Sequence, residues 1–382
     1  SAELERAVLE VKDLSGLDAS VIVRPSTSTE GAATLVVVIT TKLLDAAVGI
    51  DNRLRSEFGR EEIFSMLAVN SALTVGDRIE VQGRRSLDSE AFGYASISYE
   101  SQIGHSAARA TGFYSRARTE ARSGVLGLLD YTGTEETFRF GVRYPLMRSR
   151  ASSLYLSGDL GGIDTRGRLF GINVARDNVR TLSFGVSYDW ADSTGATSLA
   201  SLRFVQGVEG LGATGSANPL RSRVTADPDA SYVTARLFRN QPLGGGFRAR
   251  FDVETQLVTS GTSLLASSEC TFGGPAIGRG YDAGAISGDE CWRAGVELAR
   301  PIATGNNVIE PYAFLDGGAA RQTGPLVGGE PRRRDAASVG IGARLFTRSG
   351  FNADLQWAFP TKDLFPGQDR KSRLFFTISF QR

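Results

Sequence analysis

Few residues of this chain could do chemistry, and the densest group is Glu269-Cys-Thr-Phe-Gly-Gly-Pro-Ala-Ile-Gly-Arg-Gly-Tyr281, followed by Ser287-Gly288-Asp289. Glycines at 273, 274, 278, 280, 284 and 288 give this segment several permissive backbone positions. Arg279 stands between Gly278 and Gly280, so its guanidinium extends without crowding from neighbouring side chains. An arginine taken out of water requires a carboxylate, and Phe314-Leu-Asp-Gly-Gly318 offers one in Asp316. This is ion-pair chemistry rather than bond making. Gly278-x-Gly imitates part of a dinucleotide fingerprint, but no helical pattern follows it and no β-α-β unit surrounds it. The single histidine, His105, excludes a His-based metal cluster, leaves a Ser-His-Asp triad one candidate base, and reads as a solvent-exposed turn residue. Two cysteines cannot build a four-thiolate zinc site. Cys270 and Cys291 flank the glycine-rich segment, so an oxidising compartment favours a disulfide closing it; two unpaired thiols are the other reading. No catalytic residue, cofactor or metal is expected.

The element that must position such a loop shows in the period of the chain. Leu182, Phe184, Val186, Tyr188 and Trp190 alternate with Ser183, Gly185, Ser187 and Asp189. Phe247, Ala249, Phe251, Val253 and Leu257 alternate with Arg248, Arg250, Asp252, Glu254 and Gln256, and Phe351 to Phe359 behaves likewise. Several such runs reach the roughly 9–11 residues of a membrane-spanning strand, beyond the roughly 5–6 of a soluble one. Their polar faces carry too much charge for a dry core, and aromatics close the apolar face at Tyr188, Trp190, Trp357 and Phe359, as an interfacial girdle requires. A soluble, half-exposed antiparallel sheet is the alternative. Lys plus Arg is 43 and Asp plus Glu 42, a balance that supports neither a nucleic-acid groove nor a polybasic membrane-surface patch. A mean hydropathy of −0.13, with no long apolar run, excludes helical spans but not a barrel.

Segments separated by turn residues give approximately sixteen strands, starting near Ala46, Arg78, Phe92, Ala108, Thr137, Ser153, Val179, Thr197, Ser231, Gly246, Leu265, Cys291, Val308, Ala336, Gly350 and Arg373. The expected fold is therefore mainly β: an antiparallel transmembrane barrel over residues 45–382, with a glycine-rich loop at about 273–290 that, if folded into the lumen, would need a carboxylate for Arg279. Asp316 shares parity with Glu310 and should face the lumen. Arg139, Arg143, Arg248 and Arg250 also face inward, either as a cationic wall or as members of charge pairs that keep the lumen wet. Before Asp45 the pattern changes. Leu4, Ala7, Val8 and Val11 have helical spacing, and Asp18–Arg24 and Thr34–Thr40 look like two strands joined by a polar turn at Pro25–Ala33. This piece is too small to bury a core alone and reads as the second half of a small α/β module. With no signal peptide present, the expectation is a mature chain lacking its amino-terminal part.

These features together resemble the haemolysin secretion/activation family, the two-partner secretion transporters within the POTRA-plus-barrel superfamily. The resemblance rests on Gly278-Arg279-Gly280-Tyr281 at the loop tip, where the family usually has Val at the first position, and on Phe314, Asp316 and Gly318 in the barrel wall. Phe272-Gly273-Gly274, Ser287-Gly288-Asp289, Gly49-Ile-Asp-Asn-Arg53, Val75-Gly-Asp-Arg78 and Glu297-Leu-Ala-Arg-Pro301 agree as well. It implies that residues 1–44 are the carboxy-terminal half of a POTRA domain in the periplasm. It further implies that Arg279 pairs with Asp316 to hold a gating loop in an outer-membrane pore. The implied partner is a large secreted protein that crosses unfolded to the surface, with outer-membrane lipid or lipopolysaccharide around the barrel and no nucleic acid. An insertase or assembly factor of the same superfamily is the alternative, as is a structural or porin-like barrel in an envelope assembly.

Overall fold

The computed structural model describes residues 2–25, 33–88, 90–326, 331–364 and 371–382. The amino-terminal piece is a helix, α1 (Ala2–Lys12), followed by an antiparallel pair, β1 (Leu17–Pro25) and β2 (Ala33–Thr41), in which Leu17 opposes Thr41. Most of the polar turn expected between them lies outside the described residues. Past α1, the Asp13 carboxylate accepts the Nε and Nη2 hydrogens of Arg148, each at 2.7 Å, and Arg109 donates to the Asp13 carbonyl. These contacts fasten α1 to the end of the barrel that carries the chain termini.

The rest of the chain is a closed antiparallel barrel of sixteen strands. In order these are β3 (Leu44–Asp51), β4 (Glu62–Asn70), β5 (Arg78–Ser86), β6 (Phe92–Gln102), β7 (Arg109–Glu120), β8 (Thr132–Arg148), β9 (Ser152–Leu169) and β10 (Ile172–Ala191). Then follow β11 (Thr197–Gly207), β12 (Ser231–Pro242), β13 (Arg248–Val258), two short loop strands β14 (Cys270–Phe272) and β15 (Ile286–Gly288), β16 (Glu290–Ala299), β17 (Ile302–Thr304), β18 (Asn307–Arg321), β19 (Arg333–Thr347), β20 (Phe351–Pro360) and β21 (Arg373–Gln381). β16 and β17 both pair with β18 and make one strand interrupted at Pro301, which has no N–H to give the ladder. β21 closes on β3 through Thr377–Gln381 against Ala47–Asp51.

Side-chain alternation fixes the two faces. Phe140, Phe184 and Leu374 are each about 60% exposed on the outside, as a lipid-facing wall demands, while Ser183, Glu310 and Asp316 on the opposite parity are buried. Two differences from the sequence reading have physical causes. The strand Glu62–Asn70 was not expected, because its inward row carries Phe64 and Met66 opposite outward Ile63 and Leu67, which erases the period-two signal. The strand expected from Leu265 is instead loop: Leu264 and Leu265 are buried inside the folded-back segment. In addition, β8 and β10 begin at Thr132 and Ile172, ahead of the expected Thr137 and Val179. The start of β8 carries Thr134 and Glu136 outward, and β10 has a register shift between Asn173 and Ala175 before Arg176 and Asn178 face outward, so no regular apolar alternation marks either start.

Candidate functional site

The chain between β13 and β16, residues 259–289, turns back into the lumen from the end opposite the termini. β14 and β15 form a small hairpin at its base, and a disulfide joins Cys270 to Cys291 with Cα atoms 6.2 Å apart. Phe272, Ile277, Tyr281 and Ile286 make an apolar seat against Ala320 and Ala336. Phe272 lies so close to the wall that a Cβ added at Gly318 would come 2.4 Å from its Cδ2, so the wall must be glycine there. Gly278 has φ +85° and a Cβ on it would meet the Gly273 nitrogen at 2.8 Å. A valine at that position would be strained and crowded, which accounts for glycine in this chain.

At the tip, Arg279 is buried and Asp316 of β18 is wholly so. Arg279 donates from Nε at 3.0 Å and from Nη2 at 2.9 Å to the two oxygens of Asp316, a bidentate fork. The backbone N–H groups of Gly278 and Arg279 also donate to Asp316, at 3.0 and 2.9 Å. The guanidinium carbon stands 3.6 Å from the centre of the Phe314 ring, and Nη1 donates to Glu297 at 2.7 Å. Burial alone would lower the pKa of Arg279, but Asp316 and Glu297 outweigh it and hold it above the ordinary value. Gly280 donates its N–H to Ser338 Oγ at 3.2 Å, and the Tyr281 hydroxyl lies 3.0 Å from the carbonyl oxygens of Ala337 and Lys362. Among the described residues, strands β16, β18 and β19 thus supply the wall's hydrogen-bond partners of the Gly278–Tyr281 tip, with Lys362 beside them. Gly274 lies in the turn at the loop base with φ +120°, where an added Cβ would come 3.5 Å from Ala283.

The cluster is larger than one pair. Arg344 of β19 donates to Glu297 at 2.6 and 2.8 Å and to Glu310 at 2.9 Å, and Arg250 of β13 bridges the same two carboxylates at 2.7 and 3.0 Å. Sequence reasoning missed Arg344; the signal was its register opposite Glu310, visible only once β18 and β19 are paired. It also missed Arg223, from the loop between β11 and β12, which donates to Asp289 at 2.6 Å and contacts Glu269 at 2.8 Å. Leu264 and Thr323 donate their N–H groups to the same Asp289 carboxylate at 2.7 and 2.8 Å. A second buried anchor therefore fixes the loop base. Of the four wall arginines, Arg248 and Arg250 face carboxylates, Arg143 lies 3.7 Å over the Tyr155 ring and Arg139 is exposed. With Arg203–Asp159 at 3.0 Å and Arg236–Asp252 at 2.6 Å, this side of the lumen wall is charge-paired rather than cationic.

The arrangement ties the loop to the lumen wall through a buried ion network. No curated protein sequence matches the chain. Among solved structures, CdiB from Escherichia coli superimposes with a TM-score of 0.83 at 16% identity, covering 100% of this chain and 70% of that one. CdiB from Acinetobacter baumannii gives 0.76 at 16% identity, covering 98% and 67%. BamA from Haemophilus ducreyi lacking POTRA domains 1–3 gives 0.62 at 14% identity, covering 100% and 78%. At these identities the likeness establishes the fold alone. Residues 34–345, however, match the family described as haemolysin secretion/activation protein ShlB/FhaC/HecB. That span takes in the barrel through β18, the loop and most of β19, and the chain accordingly belongs to this family of outer-membrane secretion channels.

Proposed function

We propose that this barrel exports a large partner protein, unfolded, from the periplasm to the cell surface, with the Arg279–Asp316 pair holding the lumenal loop in its resting position. The observation that carries this reading is the loop tip itself: a guanidinium forked onto a wholly buried carboxylate in the lumen of a family member. A simple diffusion pore has no need of such a lock. The charge-paired wall supports passage of polypeptide, because paired ions keep the lumen wet without holding a segment of either charge. Residues 1–44 act as the carboxy-terminal half of a POTRA domain on the periplasmic side, where an extended segment of the partner adds to an exposed strand edge. Folding of the passenger outside makes return unfavourable and supplies the drive. Arg279, Asp316 and Glu297 are gating and structural groups, not catalytic ones.

The test is secretion in a deletion strain complemented with the wild type or with Arg279→Ala, comparing surface and medium proteins. Loss of one large exoprotein on deletion, with other barrels at normal abundance, and reduced export by an inserted Arg279→Ala barrel are expected. Depletion of several outer-membrane barrels with unchanged exoproteins would instead assign the chain to assembly of other barrels. Normal secretion by the stably inserted variant would refute the gating role.

A further inference from the structure

The outer face of β7 to β10 carries a feature that export does not use. Beyond the apolar wall, at the end opposite the termini, Arg116, Arg118, Arg166, Arg168 and Arg176 share one outward patch around a cleft of about 380 Å³. Their common facing follows from register: Arg116 opposes Glu136, which opposes Asp164, then Asn178, and the next outward row is Arg118, Thr134, Arg166 and Arg176. Immediately below these rows lie Phe138, Phe140, Leu160 and Leu182 of the same parity. The patch is short of negative charge. Glu136 lies 3.5 Å from Arg116 and Glu120 3.9 Å from Arg118, both with largely exposed arginines, and Asp164 is already engaged by Arg180 at 2.5 Å. Arg168 donates only to Asn173, and among the described residues Arg166 and Arg176 have no ion-pair partner. On the far wall, by contrast, outward Arg321 is neutralised by Glu290 at 2.5 Å.

Height places the patch. Ten residues separate Trp190, stacked on Tyr188 at the terminal end, from Arg180. At about 3.3 Å per residue and a tilt of about 40° that is about 25 Å along the membrane normal, the height of an apolar band. The arginines therefore stand at the headgroup level of the leaflet remote from the termini. Guanidinium forks match phosphate oxygens bidentately, and the exposed Phe140, Leu160 and Leu182 just below suit acyl chains.

We infer that this patch is a binding site for the phosphorylated headgroup of an outer-leaflet glycolipid, lipopolysaccharide in chemical class, with its acyl chains on the wall of β8 to β10. The inference rests on the orientation proposed above, termini in the periplasm. The near-neutral charge of the whole chain conceals the site, because a sum over all residues does not record which face each charge occupies.

The test uses the full-length protein in detergent, with native mass spectrometry against lipopolysaccharide, enzymatically dephosphorylated lipopolysaccharide and inorganic phosphate. Wild type should retain intact lipopolysaccharide at least tenfold better than the dephosphorylated form. Arg166→Ala/Arg176→Ala should lose that preference, and Arg166→Lys/Arg176→Lys should keep part of it. Heat-modifiable gel mobility establishes that each variant is folded. Equal retention of the two lipids, or an unchanged preference in the alanine variant, would overturn the site. Displacement of the lipid by equimolar inorganic phosphate would overturn the glycolipid in favour of a free-anion site. Orientation is read separately: Phe170→Cys, at the exposed turn between β9 and β10, should react with an impermeant maleimide on intact cells. Absence of labelling would overturn the orientation and the outer-leaflet assignment together, without bearing on the lipid preference measured in detergent.

Discussion

Replacing Asp316 by alanine isolates what the buried carboxylate contributes to loop docking. Asp316 accepts four hydrogen bonds, from the N–H groups of Gly278 and Arg279 and from Nε and Nη2 of Arg279. Removing one member of a buried ion pair costs about 3–5 kcal/mol, because the other charge stays desolvated. Here Glu297 still holds Arg279 Nη1 at 2.7 Å, so the lower end, about 3 kcal/mol, is the better figure. At about 1.4 kcal/mol per tenfold the docked tip should open roughly a hundredfold more often. Hydrogen exchange of the intact protein in micelles reads this at Gly280 and Tyr281, whose N–H groups bond Ser338 Oγ and the Gly278 carbonyl rather than Asp316. Both amides should exchange about a hundredfold faster, a figure carried over from that tenfold scale. The pairing of Cys270 with Gly288 should keep its protection, since the disulfide, Phe272 and Asp289 remain. Exchange at Gly280 and Tyr281 within about threefold of wild type, less than 1 kcal/mol, would refute the idea that this carboxylate holds the tip.

Gly318→Ala should drive Phe272 from its seat, costing about 1–3 kcal/mol of overpacking; faster proteolysis within 271–288 is the readout, and Gly318→Ala/Phe272→Ala should recover part of the loss. Replacing both Cys270 and Cys291 by serine should loosen the same loop by about 2–4 kcal/mol, measured by nicking rate, while heat-resistant gel mobility of the barrel is unchanged. Burial would raise the pKa of Asp289, but Arg223 and the N–H groups of Thr323 and Leu264 outweigh that and hold it below the usual range. Its stabilisation is thus complete above the ordinary value of about 3.9 and fades as pH falls below it, so protease resistance of the loop should hold at neutral pH and drop in acid, with Asp289→Asn weak throughout. Arg148→Ala should loosen α1 at the barrel base, because Asp13 loses both charge-assisted bonds and keeps only Arg109 on its carbonyl; cleavage near Lys12 should accelerate and barrel mobility should not change.

The fold was legible because a barrel strand writes its two solvents into alternate residues. Leu182 to Trp190 and Phe247 to Leu257 each carry that record in full. It failed where the alternation was broken: Phe64 and Met66 are apolar on the inner row of β4, the first residues of β8 carry Thr134, Glu135 and Glu136 on both faces, and β10 opens with a register shift between Asn173 and Ala175. The total of sixteen survived because the missed strand at Glu62 was offset by the segment at Leu265, which is loop.

The site divides in the same way. Sequence alone determined the groups of the loop tip, since an arginine between glycines and an inward aspartate in a Phe-x-Asp-x-Gly row are local facts. Arg344, Arg250 and Glu297 became one network, and Arg223 the partner of Asp289, only in three dimensions, for their nearness depends on strand register and on where two loops fold, and neither is written in any short window of residues. The outward arginines follow the same rule: spread from Arg116 to Arg176, they become a single patch because antiparallel pairing stacks distant positions about 5 Å apart on one face.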